Sequence, residues 1–161
     1  MTHSKEYITA EERKGYMNPK QAEILIIEDN PEDVRLIIEA FKNSGLRIKF
    51  NIISDGEEAI SYLFHRGNHS KSMRPDFILL ELKLPKKSGL EVLSEIKSTP
   101  ELQVTPVVVL TSAKSEDEIY KSYDLSANCC IEKPSDPETF QEVVKTIGGF
   151  WLNTATLPLK V

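Results

Sequence analysis

The chain has 161 residues, 40% hydrophobic and 28% charged, with a formal net charge of −5. That length supports one domain with a real core, and the acidic balance argues against a nucleic-acid-binding protein, which would show a basic stripe. No apolar run approaches the ~20 residues that span a membrane, the polar N-terminus is no signal peptide, and the adjacent Cys129 and Cys130 suit neither a disulfide nor a metal cluster, so a reducing, cytoplasmic setting is expected.

Residues 1–21 lack hydrophobic periodicity and read as a flexible arm. From Glu23 the texture changes. Ile24 to Ile27 is a short continuous apolar run, as in a strand buried on both faces. Asn30-Pro31-Glu32-Asp33 then starts a helix: Asn caps, Pro fits the first helical position, and acids suit the positive end of the helix dipole. Val34, Ile37, Ile38 and Phe41 form its apolar stripe, and Ser44-Gly45 stops it. The unit then repeats. Ile48 to Ile53 is a second strand, and Asp55 to about His65 a second helix with Ala59, Ile60 and Leu63 inward. Arg66 to Pro75 is a polar loop. Phe77 to Leu80 and Leu90 to Lys97 make the third unit, Val107 to Leu110 and Ser115 to about Leu125 the fourth. Cys129 to Ile131 is a short fifth strand, and Asp136 to about Trp151 a last helix with Phe140, Val143, Val144 and Ile147 on one face.

Five strand–helix units in succession predict an α/β fold: a doubly wound, five-stranded parallel sheet with helices on both faces. Right-handed crossovers leave few topologies, and 2-1-3-4-5 is the expected order. Ligands of such sheets sit beyond the carboxyl ends of the strands, at the switch point between strands 1 and 3. Glu28-Asp29 closes the first strand and Glu81 the third, so three carboxylates converge there. Thr111 closes the fourth strand, and Lys133-Pro134 follows the fifth. Converging carboxylates need a cation or a proton, and Mg2+ suits such an oxygen-rich set. A carboxylate nucleophile, a hard metal, a lysine point charge and a hydroxyl donor together make a phosphoryl-transfer site. Each residue alone reads as a helix cap, a turn or solvated surface; their joint placement at successive strand ends favours the site.

Residues 23–152 resemble the receiver domain of two-component response regulators, and the single-domain regulators that partner phytochrome-like and other histidine kinases in particular. The resemblance rests on Ile26-Ile27-Glu28-Asp29-Asn30, Leu84-Pro85-Lys86-Lys87-Ser88-Gly89-Leu90-Glu91-Val92-Leu93, Pro106-Val107-Val108-Val109-Leu110-Thr111-Ser112 and Glu132-Lys133-Pro134. The long loop Arg66 to Pro75, Ala127-Asn128-Cys129 and Phe150-Trp151-Leu152 add to it. It implies a receiver domain over 22–152 and a C-terminal tail over 153–161. It also implies Mg2+ held by Glu28, Asp29, residue 81 and the backbone carbonyl of Lys83. Thr111 matches the switch hydroxyl, Lys133 the phosphoryl-contacting lysine, and Pro134 a proline that often follows a cis peptide. The implied partners are a sensor histidine kinase, an unspecified downstream protein, and a second copy docked through the face of the fourth helix, fifth strand and fifth helix. Phe150, Trp151 and Leu152 are candidates for that dimer interface, and Gly148-Gly149 is expected to weaken the helix before them.

Three positions depart from the family pattern. Glu81 stands where the phosphoacceptor is an aspartate, Cys130 replaces the aromatic switch residue, and Ser126 replaces a turn glycine of left-handed conformation. The glutamate pushes its carboxylate outward by one C–C bond, about 1.5 Å, and an error of ~1 Å can cost about a hundredfold in rate. Natural or engineered, such a chain is expected to be phosphorylation-deficient, to imitate the activated state partly through Lys133 or Thr111, and to bind Mg2+ less well. It is expected to act by protein–protein contact and not as an enzyme. The alternatives are a phosphohydrolase of a related α/β fold, which would want Asp-x-Asp after the first strand, and a flavodoxin-like cofactor carrier, which would want a phosphate-cradling loop there.

Overall fold

A computed structural model describes residues 21–158. The arm expected over 1–21 therefore lies outside the described residues except for Gln21, as do residues 159–161 of the tail. The elements alternate: β1 (Ala22–Ile27), α1 (Pro31–Lys42), β2 (Ile48–Ile53), α2 (Gly56–Leu63), β3 (Phe77–Leu80), α3 (Gly89–Ser98), β4 (Val107–Thr111), α4 (Glu116–Asp124), β5 (Cys129–Glu132) and α5 (Pro137–Gly148). The strands are all parallel and ordered β2-β1-β3-β4-β5, as the alternation of elements predicts.

The apolar strands are continuous because each faces two cores. Leu25, Ile27, Ile78, Leu80, Val107 and Val109 point to the side covered by α2 and α3. Their neighbours Ile24, Ile26, Phe77, Leu79, Val108 and Leu110 point to the side covered by α1 and α5. The central strands β1, β3 and β4 are buried almost throughout, and the edge strands β2 and β5 are not.

Helix starts follow local chemistry. Asn30 accepts the amides of Glu32 and Asp33, Asp55 that of Glu58, Ser115 that of Glu118, and Asp136 that of Thr139. Ser88 and Glu91 form a reciprocal capping box on α3. Ser126 takes φ 71° at the turn before β5, the left-handed conformation expected there despite its side chain.

One expectation is corrected. No peptide among the described residues is cis, so Lys133–Pro134 is trans. Trans is the lower-energy isomer of an X–Pro bond, and the Lys133 amide already docks on the Thr111 carbonyl at 2.8 Å, which places the residue at the strand ends. The Gly148-Gly149 pair, expected to weaken the last helix, marks the place where its α-helical part gives way to a π-helical turn. Both glycines are right-handed helical, and a π-helical turn continues over Gly149–Thr154. Gly148 is there for close approach: a Cβ on it would lie 2.4 Å from Cε1 of Phe41.

Candidate functional site

The carboxyl ends of β1, β3, β4 and β5 bring Glu28, Glu81, Thr111 and Lys133 into one buried cluster. Glu28 is 4% exposed, Glu81 2% and Thr111 0%. Glu81 spends both carboxylate oxygens. Its Oε1 accepts the Thr111 hydroxyl at 2.9 Å and the Lys83 amide at 3.1 Å. Its Oε2 accepts the Ser112 amide at 3.3 Å and faces Lys133 Nζ at 2.8 Å. Thr111 is held in turn, because its Oγ1 accepts the Ala113 amide at 3.0 Å.

Lys133 is the electrostatic centre. Its Nζ lies 2.5 Å from Glu28 Oε2, 2.8 Å from Asp33 Oδ2 and 2.8 Å from Glu81 Oε2. Burial opposes its charge, but the bonds to Asp33, Glu28 and Glu81 outweigh that and hold the ammonium well above the usual lysine range. Burial likewise pushes the Glu28 carboxyl up to about 7, with Lys133 opposing the rise. The second oxygen of Glu28 accepts the Asn30 amide at 3.1 Å. Asp29 stands exposed at the rim.

The resemblance implies a divalent metal among these donors. Glu28, Asp29 and the Lys83 carbonyl are hard oxygens of the kind Mg2+ takes, so the set fits in chemical type. Glu81 and Glu28 both engage Lys133, and no group of three acidic, His or Cys side chains among the described residues is arranged to hold a metal ion.

The loop between β3 and α3 is tightly determined. A Cβ on Gly89 would lie 2.2 Å from the Glu81 carbonyl, and one on Gly56 would lie 1.9 Å from the Lys87 carbonyl. Residue 81 and its following loop are thus clamped between α3 and the start of α2.

Cys130 does not reach this cluster. It packs beneath α4, and its amide donates to the Tyr123 hydroxyl at 3.1 Å. Burial raises its thiol above the ordinary range. Pro134 follows Lys133 without contributing a polar contact of its own. Of the three terminal apolar residues, Trp151 stacks on buried Phe77 with centroids 5.9 Å apart, and Leu152 packs on the same core. Phe150 is 51% exposed.

Two participants escape a reading of the sequence. Ser112 acts through its backbone, which no side-chain pattern reveals. Asp33 looks like ordinary dipole-compatible charge in a first helical turn; only asking which acids face Lys133 singles it out.

A family model described as the response regulator receiver domain matches residues 24–145. The response regulator Rcp1 of Synechocystis sp. is 43% identical over 141 residues, covering 88% of this chain and 95% of Rcp1. The crystal structure of the phosphorylated cyanobacterial phytochrome response regulator RcpA superposes with a TM-score of 0.85 at 48% identity, covering 87% of this chain and 100% of that one. The Mn2+-bound form of Rcp1 gives a TM-score of 0.84 at 43% identity, with 86% and 99% covered. The family match, the identity to these regulators and the cluster at the strand ends agree: the chain belongs to the response regulator receiver domain family, of the single-domain, phytochrome-associated type.

Proposed function

We propose that this receiver carries its own substitute for the phosphoryl group. The observation behind the reading is the set of four partners on Glu81: a switch-position hydroxyl (Thr111), the next amide (Ser112), the lysine that follows β5 (Lys133) and the Lys83 amide. Those are the donors that would stabilise the oxygens of a phosphorylated aspartate. The longer side chain delivers a carboxylate into their midst, and Thr111 is drawn toward it without phosphate. Mimicry is partial, because a carboxylate brings one charge and two oxygens where phosphate brings more of each.

The same bonds argue against phosphorylation. Transfer from a kinase phosphohistidine would form an acyl phosphate O–P bond as the N–P bond breaks and the imidazole leaves. It needs a free carboxylate oxygen in line with phosphorus, and both oxygens of Glu81 are engaged. Mg2+ would supply charge neutralisation at the transferred group, held by Glu28, Asp29 and the Lys83 carbonyl; with Glu81 turned to Lys133, weak affinity is expected.

In this reading a sensor histidine kinase can dock but not transfer, and output runs through protein contact on the α4–β5–α5 face. That face is also where a second copy would dock. The chain is a signalling module and not an enzyme.

The test is the Glu81→Asp form, incubated with acetyl phosphate and Mg2+ beside the parent. Intact-mass spectrometry should find one added phosphoryl group on the variant and none on the parent. Ready esterification of the parent would sink the proposal.

A further inference from the structure

Lys133 has three ammonium protons and three carboxylate neighbours. Two of them, Glu28 and Glu81, stand at strand ends. The third, Asp33, comes from the first turn of α1, 100 residues away in sequence, at 2.8 Å. Its side chain is 21% exposed and that of Lys133 only 7%, so the pair is partly shielded from solvent screening. A lysine stem has four rotatable bonds and is costly to localise. Three carboxyl partners on different elements leave its nitrogen one position, and charge-assisted bonds of this length are the strong kind.

The consequence concerns α1. The helix packs its apolar stripe on the sheet and is capped by Asn30, whose amide donates to Glu28 Oε1; neither contact bonds the acceptor side chain or its lysine. Through Lys133, Asp33 does sense that side chain. If residue 81 loses its charge or withdraws, the ammonium redistributes between Glu28 and Asp33, and the first turn of α1 feels the change.

We propose that Asp33 is a positioning residue of this site: it fixes Lys133 and so ties the start of α1 to the state of residue 81, giving the switch a second readout beside Thr111. This rests on the placement of Glu81 among the phosphoryl-contacting donors, and the test separates the two.

The experiment uses amide NMR spectra of the full chain as parent, Glu81→Gln, Asp33→Asn, and the double variant, with Asp33→Ala as a second truncation in case Asn retains a bond. The Glu81→Gln change should shift the amides of Lys83 and Ser112, which bond residue 81 directly, and also those of Val34 to Ile37. With Asp33 replaced, the same change should still shift Lys83 and Ser112 but leave 34–37 at the level of remote amides in α2. The Lys133 ammonium signal should exchange about tenfold faster in the Asp33 variants, in keeping with loss of one charge-assisted bond. If Lys83 and Ser112 move while 34–37 stay still in the parent background, the proposal is wrong and the acceptor reading stands. If Lys83 and Ser112 do not move, the acceptor reading fails and takes this one with it. Shifts at 34–37 that persist without Asp33 also overturn it, because the coupling would then run by another route.

Discussion

Thr111 donates its hydroxyl to Glu81 Oε1 at 2.9 Å while its own oxygen accepts the Ala113 amide at 3.0 Å. Both side chains are almost fully buried, so the hydroxyl is both a donor to a carboxylate and an acceptor for the chain that follows β4. Thr111→Val keeps the shape and removes both roles. It should cost about 1–3 kcal/mol, the penalty for leaving buried polar groups unsatisfied. Thr111→Ser keeps the hydroxyl and should cost clearly less. Urea unfolding with an unchanged slope is the measurement. Equal losses for Val and Ser would mean that the methyl group, not the bond to Glu81, is what matters.

The adjacent glycines at the end of α5 should respond in opposite directions. Gly148→Ala places a methyl 2.4 Å from the Phe41 ring, in the packed seam between α1 and α5. Overpacking of that kind costs about 1–3 kcal/mol. Gly149 has φ −61° and nothing within 4 Å of a Cβ. Gly149→Ala should therefore stabilise by about 0.5–1 kcal/mol, through lower backbone entropy in the unfolded chain. Thermal unfolding of the two single variants reads both signs. Destabilisation by Gly149→Ala would show that the π-helical turn needs glycine freedom.

These contrasts show where the sequence is readable. Strand order and site placement followed from apolar runs with Glu28-Asp29, Glu81, Thr111 and Lys133 at their ends, because a wound parallel sheet leaves those ends few places to go. The left-handed turn at Ser126 was foreseeable from the glycine that the resemblance implies there. What stayed hidden depends on contacts between distant residues. Glu23 looked like a boundary and is instead buried inside β1, its carboxylate taking the Asn51 amide at 2.9 Å. Gly148 looked like a weak point and is a packing contact. Asp33 looked like dipole charge and is a partner of Lys133. In each case the local residue type suggested a generic role, and a partner 28 to 107 positions away decided otherwise.

Trp151 and Phe150 are neighbours with different tasks. Trp151 lies on buried Phe77 and is half-buried, whereas Phe150 points outward beside an apolar groove of about 510 Å³ between α5 and β5, lined in part by Cys129, Ile131 and Val143. Trp151→Ala should cost about 2 kcal/mol through lost apolar burial. Phe150→Ala gives up only an edge contact with Trp151 and should cost about 1 kcal/mol or less. If two copies meet on the α4–β5–α5 face, Phe150→Glu should abolish the dimer in sedimentation velocity while leaving the unfolding midpoint nearly unchanged. A parent that sediments as a monomer across the concentration series would remove the dimer from the account.

Glu28 gives the site a pH dependence whose sign follows from its burial. Its carboxyl is pushed from an ordinary 4.5 up to about 7 in the folded chain, burial being the largest cause and Lys133 opposing it. The folded state then holds a proton that the unfolded state has already lost between those two values. Stability contributed by this group is fully present below pH 4.5 and fades as pH rises through 7. Glu28→Gln cannot titrate, so its unfolding free energy should improve relative to the parent by about 2 kcal/mol between pH 5 and pH 8. The comparison belongs in buffer with a chelator, so that no divalent cation competes for the carboxylate. Lys133 stays charged across this range, because Asp33 and Glu81 keep their hold on it. The opposite trend, with the parent gaining on the variant as pH rises, would mean that the attraction of Lys133 at 2.5 Å outweighs the cost of burying the Glu28 charge.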